Sequence, residues 1–206
     1  KDIKKNLNLL LDGTIKGMDI CVINGRPFVY VAGFGKFMQI PYNTPRKLKK
    51  KYGYMAYLLE GVKDFFNPTK MYDITYKVNG IEKRGLYSFM LISNANRIAG
   101  INNFYKDVKL DDNQFEVLFC NFKRRVDIIK TFTILMTTDI ERISGVEFYK
   151  TNHLEIKFAD YPKKAWCIDG EKLDRAVLNY DISNVRNVKI MMPKKNINKI
   201  FVNKKV

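Results

Sequence analysis

Apolar positions along this chain follow two spacings, and the change from one to the other marks out its elements. Residues 18–23 and 27–33 are short β-rich runs joined by Asn24-Gly25, and 72–78 and 84–93 repeat the pattern around Asn79-Gly80. Asn-Gly between two such runs favours a hairpin, because both turn residues accept the left-handed backbone that a two-residue turn requires. Further runs at 115–122, 144–149, 154–158, 165–168 and 185–191 read as strands, and Lys150-Thr151-Asn152-His153 reads as a hairpin turn. Helical spacing takes over in three places. Ile3, Leu7, Leu10 and Leu11 recur at intervals of three and four, with Gly13 as the stop. Residues 46–66 place Leu48, Tyr52, Met55, Leu59, Val62 and Phe66 on one face, and 124–137 do the same with Val126, Ile129, Phe132 and Met136.

The hairpins, and the lack of a strand–helix–strand rhythm, predict a mainly β (α+β) fold: an antiparallel β-sandwich-like domain with two or three packed helices. No repeat or low-complexity linker divides residues 1–206, so they read as a single domain, with a Lys-rich mobile tail at 194–206. A hydrophobic content of 46% and an aromatic content of 13% exclude a disordered chain. Cys21, Cys120 and Cys167 lie far apart and lack metal-ligand spacing, and read as buried small hydrophobes in a reduced compartment. His153 is the single histidine, which gives no zinc pattern. The sequence shows no signal peptide, and its longest apolar runs, such as Phe89-Met90-Leu91-Ile92, are strand-length. It starts at Lys1 rather than Met, so a missing upstream segment is expected.

A formal charge of +16 changes the picture from fold to partners. It favours nucleic acid, nucleotide phosphates or an acidic membrane leaflet, although part of the excess fits a Lys-, Asn- and Ile-rich composition. With 21 acidic residues against 37 basic ones, an acid fixed on a tight turn is a candidate for chemistry. Ala165-Trp166-Cys167-Ile168-Asp169-Gly170-Glu171 carries two such acids on a strand-end Asp-Gly turn. Lys109-Leu110-Asp111-Asp112-Asn113-Gln114-Phe115 pairs carboxylates ahead of a strand; it reads as turn and capping, or as a hard-cation site helped by loop carbonyls. Gly33-Phe34-Gly35 follows a strand and allows either a tight turn or ligand contact at Gly33 and Gly35. Leu11-Asp12-Gly13-Thr14 follows a helix and leads into a strand, the reverse of a phosphate loop, and reads as a helix-ending turn. Arg46, Lys47, Lys49, Lys50 and Lys51 put five positive charges in six residues, followed by Tyr52, Tyr54 and Tyr57. They are either a solvated face or membrane-facing; no RNA-binding motif accompanies them.

The order of several short motifs resembles a known family. These are Met18-Asp19-Ile20-Cys21-Val22-Ile23-Asn24-Gly25-Arg26-Pro27-Phe28, Val31-Ala32-Gly33-Phe34-Gly35, Gly53-Tyr54-Met55-Ala56-Tyr57 in the Lys-rich helix, and Ile92-Ser93-Asn94 before Gly100. They are followed by Leu110-Asp111-Asp112-Asn113-Gln114-Phe115-Glu116-Val117 and Ile168-Asp169-Gly170-Glu171. Together they resemble the C-terminal domain of the bacterial diacylglycerol-kinase and sphingosine-kinase-like lipid kinases, over about residues 8 to 193. The resemblance implies a β-sandwich-like domain that supplies the lipid-binding cleft. It also implies an N-terminal α/β domain with a Gly-Gly-Asp-Gly-Thr nucleotide loop, which has no counterpart in these residues, and ATP held mainly by that domain. By position, Glu171 matches the acid that activates the lipid hydroxyl, and Asp169 would orient that turn or help the metal network. Asp112, with the carbonyls of Lys109 and Gln114, matches a structural Mg²⁺ site, with Asn113 in place of the usual glycine.

The expected function is therefore the lipid-binding half of an ATP-dependent kinase acting on a diacylglycerol-like hydroxyl, inactive by itself, cytoplasmic and peripheral to an anionic membrane. Open strand edges would permit a homodimer. The alternatives are a non-catalytic basic module that binds anionic membrane or nucleic acid, nucleic acid being the less favoured, and a purely structural fragment.

Overall fold

The structure, a computed structural model, describes residues 2–95, 98, 104–105, 107–135, 143–194 and 197–202. Helix α1 (Ile3–Leu11) begins where the Asp2 carboxylate accepts the Lys5 amide at 3.1 Å and ends where Gly13 donates to the Leu10 carbonyl. Strand β1 (Thr14–Ile23) then turns through Asn24-Gly25, with Asn24 at φ 47°, into the short β2 (Arg26–Phe28).

The apolar run after each Asn-Gly turn is longer than the strand it begins. The first run breaks at Val29-Tyr30, and its remainder, β3 (Val31–Gly35), joins a different sheet. After helices α2 (Ile40–Asn43), α3 (Arg46–Tyr52) and α4 (Tyr54–Phe66), the second turn repeats this. Strands β4 (Tyr72–Val78) and β5 (Ile81–Tyr87) form the hairpin around Asn79-Gly80, and the chain then crosses at Ser88 into β6 (Phe89–Ser93). The two crossing segments pair with each other, from Val31 opposite Ser93 to Gly35 opposite Phe89. The single helix expected over 46–66 is divided at Gly53, whose φ of 53° and ψ of −125° no helix can continue through.

The rest of the chain completes both sheets. Strand β7 (Phe115–Cys120) is followed by α5 (Arg125–Leu135) and β8 (Val146–Thr151). Residues 150–153 are not a hairpin turn. β8 pairs with β7, whereas β9 (His153–Phe158) pairs with β4 in the other sheet, so Asn152 is a corner between sheets. The imidazole of His153, on the first residue of β9, sits 2.8 Å from the Asp181 carboxylate. After β10 (Cys167–Ile168) and β11 (Glu171–Lys172), the long β12 (Asn179–Met192) runs between β1 and β9, starting six residues before the expected 185. Of the expected tail, described residues 197–202 are docked: Phe201, after α6 (Ile197–Ile200), is buried, and the Val202 amide donates to the Asp111 carboxylate at 2.5 Å.

The architecture is two six-stranded antiparallel sheets, ordered β2-β1-β12-β9-β4-β5 and β11-β10-β3-β6-β7-β8. Between them lies an apolar core that includes Ile74, Tyr76, Ile92, Phe119, Phe158 and Trp166. The first sheet alternates, with Tyr72, Ile74, Tyr76 and Val78 buried and Lys77 exposed along β4. In the second sheet all six residues of β7 are buried, because its outer face is covered as well. There Leu118 and Cys120 pack in a cluster with Phe37, Met38, Phe65 and Ile128. The β5 and β8 edges are joined by a polar knot: Tyr76, Tyr149 and Lys83 donate to the Glu147 carboxylate at 2.7, 2.9 and 3.1 Å, and Tyr87 donates at 2.5 Å. Cys21, Cys120 and Cys167 are free thiols and buried. No helix among the described residues is long and apolar enough to cross a membrane.

Candidate active site

The Asp169-Gly170 turn joins β10 to β11 at the edge of the second sheet. Strand β10 is held against β3 by pairing of Cys167 with Gly33 and of Ile168 with Ala32. Asp169 has φ 49°, and its amide donates to the Val31 carbonyl at 2.8 Å. Its carboxylate accepts the amides of Val29, Tyr30 and Val31 at 2.8, 2.9 and 2.9 Å. Three converging charge-assisted bonds fix the turn and the point at which the chain leaves β2 for β3. The next acid, Glu171, is exposed, and its carboxylate makes no hydrogen bond or ion pair among the described residues. The turn lies beside α2: a Cβ on Gly170 would stand 3.9 Å from Pro41, whose carbonyl accepts the Lys49 ammonium at 2.6 Å. Burial, reinforced by the Glu171 and Asp169 charges, pushes the Cys167 thiol up to about 11, which favours its protonated form. The arrangement presents one unengaged carboxylate on a rigid turn, which suits proton transfer to or from a bound hydroxyl.

A second group of acids gathers at loop 109–116. The Asp112 carboxylate accepts the Gln114 amide at 3.1 Å, and Asn113 has φ 63°, the conformation glycine would otherwise supply. The Asn113 amide donates to Asp19 at 2.5 Å, and Asn94 donates to the Asp19 carbonyl at 2.9 Å. Glu116 lies on the covered face of β7, 1% exposed, with Lys150 at 3.8 Å from one carboxylate oxygen and no hydrogen bond to the other. Burial, with the Asp112 charge adding to it, lifts Glu116 to about 8 despite Lys150. Burial and then the Asp19 charge raise Asp112 as well. Among the described residues no three His, Cys, Asp or Glu side chains converge closely enough to hold a metal by themselves.

No family model matches the chain. It is 23% identical to the diacylglycerol kinase of Bacillus subtilis strain 168 over 195 residues, which cover 94% of this chain and 63% of that protein. It is 25% identical to the diacylglycerol kinase of Staphylococcus aureus strain JH9 over 206 residues, 98% of this chain and 63% of that protein. A crystal structure of a diacylglycerol kinase from Bacillus anthracis superposes with a TM-score of 0.59 at 13% identity, covering 88% of this chain and 55% of that one. A second Bacillus anthracis structure gives 0.64 at 17% identity, covering 84% and 54%. This chain resembles bacterial diacylglycerol kinases in sequence and in fold. It spans 63% of the length of these two curated relatives.

Of the remaining expected site residues, Gly33 and Gly35 lie within β3 rather than in a turn after a strand, and both are closely packed. A Cβ on Gly33 would meet Met38 Sδ at 2.0 Å, and one on Gly35, at φ 95°, would meet the Ser88 carbonyl at 2.2 Å. That close approach belongs to the crossing of β5 into β6. Arg46, Lys47, Lys50 and Lys51 are exposed, whereas Lys49 turns back to the Pro41 carbonyl. The structure brings Asp169 and Glu171 together on one turn, and Asp112 with Gln114 in one loop.

Three buried charged residues were not among the site residues expected from the sequence. Asp19 and Glu116 face the loop acids, and the signal for both was a lone carboxylate inside an apolar strand. The third is Lys36, buried directly after Gly35, whose ammonium donates to the carbonyls of Asp64 and, at 2.7 Å, Asn67. The Phe37 amide donates to the Asp64 carboxylate at 2.8 Å, so the end of β3 is tied to the end of α4. Burial lowers the Lys36 proton affinity.

Proposed function

We propose that this chain is the lipid-binding C-terminal part of an ATP-dependent lipid kinase that phosphorylates a diacylglycerol-like hydroxyl, and that Glu171 is its general base. Glu171 takes the proton of the lipid hydroxyl as that oxygen forms its bond to the γ-phosphorus, and ADP leaves with the electrons of the broken phosphate bond. The observation that carries this reading is an exposed, unengaged Glu171 on a turn locked by Asp169, in a chain matching diacylglycerol kinases over 94% of its length. Asp169 acts as a positioning residue, because its oxygens are occupied by backbone amides.

On this reading ATP is bound mainly by an N-terminal nucleotide-binding domain, and the 206 residues do not phosphorylate lipid without it. Mg²⁺ fits the loop acids, because it takes hard oxygen donors and keeps water in its shell, so one carboxylate with loop carbonyls suffices. Asp112 and the carbonyls of Lys109 and Gln114 would hold it. Its charge would offset the carboxylates of Asp112, Asp19 and Glu116 and stiffen the loop. Work at the cytoplasmic surface of a membrane follows from the substrate.

The test joins this chain to the part of the Bacillus subtilis diacylglycerol kinase that it does not cover. The chimera is expected to transfer phosphate from ATP to diacylglycerol, and the 206 residues alone are not. A folded chimera that hydrolyses ATP or binds it but phosphorylates no hydroxyl lipid would remove the proposal.

A further inference from the structure

Helix α4 is turned inside out. A helix on a water-soluble surface directs its apolar stripe to the core and its small and polar residues outward. In α4 the stripe of Met55, Leu59, Val62 and Phe66 is 54, 58, 49 and 61% exposed. The opposite face carries the contacts: Ala56 is buried, Gly61 packs on Ile40, and Asp64 accepts the Phe37 amide. Leu48 and Tyr52, exposed on α3, add to the apolar surface. At the other end Arg125 donates to the Phe66 carbonyl at 2.6 Å, which brings the exposed Val126 of α5 beside it.

The charge on α3 is of one sign, while the acids of α4 and α5 are engaged: Glu60 with Lys63, Asp64 with the Phe37 amide and Asp127 with Arg124. Arg46, Lys47, Lys50 and Lys51 are exposed on α3, and no acidic residue occurs between Asp19 and Glu60. A second copy of the chain docking here would bring two sets of cations together, which opposes association. An apolar stripe flanked by lysines is instead the pattern of a helix lying in the headgroup region of an acidic leaflet.

We infer that α3 and α4 form the membrane-docking surface of the domain, with the apolar stripe entering an anionic bilayer and the α3 cations meeting its headgroups. The inference deepens the lipid-kinase reading and rests on it for the choice of a bilayer as the partner, since that is where a diacylglycerol-like substrate lies. Of the five cations expected to face a membrane, Arg46, Lys47, Lys50 and Lys51 are exposed, and the Lys49 ammonium is bonded to the Pro41 carbonyl.

The experiment is co-sedimentation of the 206-residue chain with phosphatidylcholine vesicles, with and without phosphatidylglycerol. Binding is expected only when phosphatidylglycerol is present, or far more strongly then. The double variant Met55→Gln, Leu59→Gln should lower partitioning roughly tenfold or more, because both side chains are large and apolar. It should not lower the melting temperature, because both are exposed in the free protein. The triple variant Lys47→Gln, Lys50→Gln, Lys51→Gln should lower it roughly a hundredfold, at about fivefold for each cation near an anionic leaflet. Wild-type protein that ignores anionic vesicles, or a double variant that binds as well as wild type, overturns the inference. So does wild-type self-association that the double variant abolishes, which would assign the stripe to a second copy. Glu171→Gln should bind vesicles normally. A chimera that phosphorylates detergent-dispersed diacylglycerol yet fails to bind vesicles removes this inference and leaves the kinase reading standing.

Discussion

Asp169 and Asp112 both occupy short polar turns beside strands of the second sheet, and their surroundings treat them in opposite ways. Asp169 has both oxygens engaged by three amides, so its negative charge is fully used within the fold. Around Asp112, the charges of Asp19 and Asp112 raise the proton affinity of Asp112 and Glu116 respectively, and the buried Glu116 keeps one oxygen without a hydrogen bond. A satisfied carboxylate makes a turn rigid and leaves its neighbour free to act. A buried carboxylate with one oxygen left without a hydrogen bond costs stability and favours its protonated form.

The largest expected effect of breaking this contrast is at Asp169. Asp169→Ala removes the acceptor of three amides, and denaturant unfolding should show a loss of roughly 2–4 kcal/mol. Asp169→Asn keeps one acceptor oxygen and should lose about half as much. Unchanged midpoints for both would mean that water replaces the carboxylate and that the turn is not held by it.

Glu116 should show the reverse behaviour. Its pKa is raised to about 8 in the folded chain from 4.5, so the folded state binds the extra proton. Its contribution to stability is therefore fully present below about pH 4.5 and is lost as pH rises through about 8. Glu116→Gln should abolish that alkaline loss and raise the melting temperature at alkaline pH by roughly 4–8 °C. Parallel pH profiles for the two proteins would show that Glu116 carries no such penalty.

A cation should give a smaller effect of the same kind. Millimolar Mg²⁺ at pH 8 is expected to raise the wild-type melting temperature by roughly 2–4 °C and to leave Asp112→Ala unmoved. No shift in either protein would argue against an ion in this loop.

Much of the fold was legible because antiparallel hairpins are local. Asn24-Gly25 and Asn79-Gly80 turn where the residue types require, and the alternation in β4 and β9 identifies the buried face. What could not be read locally depends on residues far away in the chain. The break after β2 is fixed by Asp169, about 140 positions later, and the break at Ser88 by the close approach of Gly35. Nor does an apolar helical stripe say which side meets the core: the periodicity of Met55, Leu59, Val62 and Phe66 was correct, but the face they form is the exposed one. In the candidate site, the Asp-Gly turn and the paired carboxylates stood out as motifs. The three backbone amides that hold the Asp169 carboxylate did not, because they come from residues about 140 positions earlier in the chain.

The central claim is that the locked Asp169 turn exists to present Glu171 as a base. The measurement that tests it most directly is lipid-phosphorylation turnover of the chimera with Glu171→Gln. A fall of roughly a hundredfold or more in kcat is expected, with the melting temperature and the KM for diacylglycerol close to wild type. Turnover within a few-fold of wild type would contradict it.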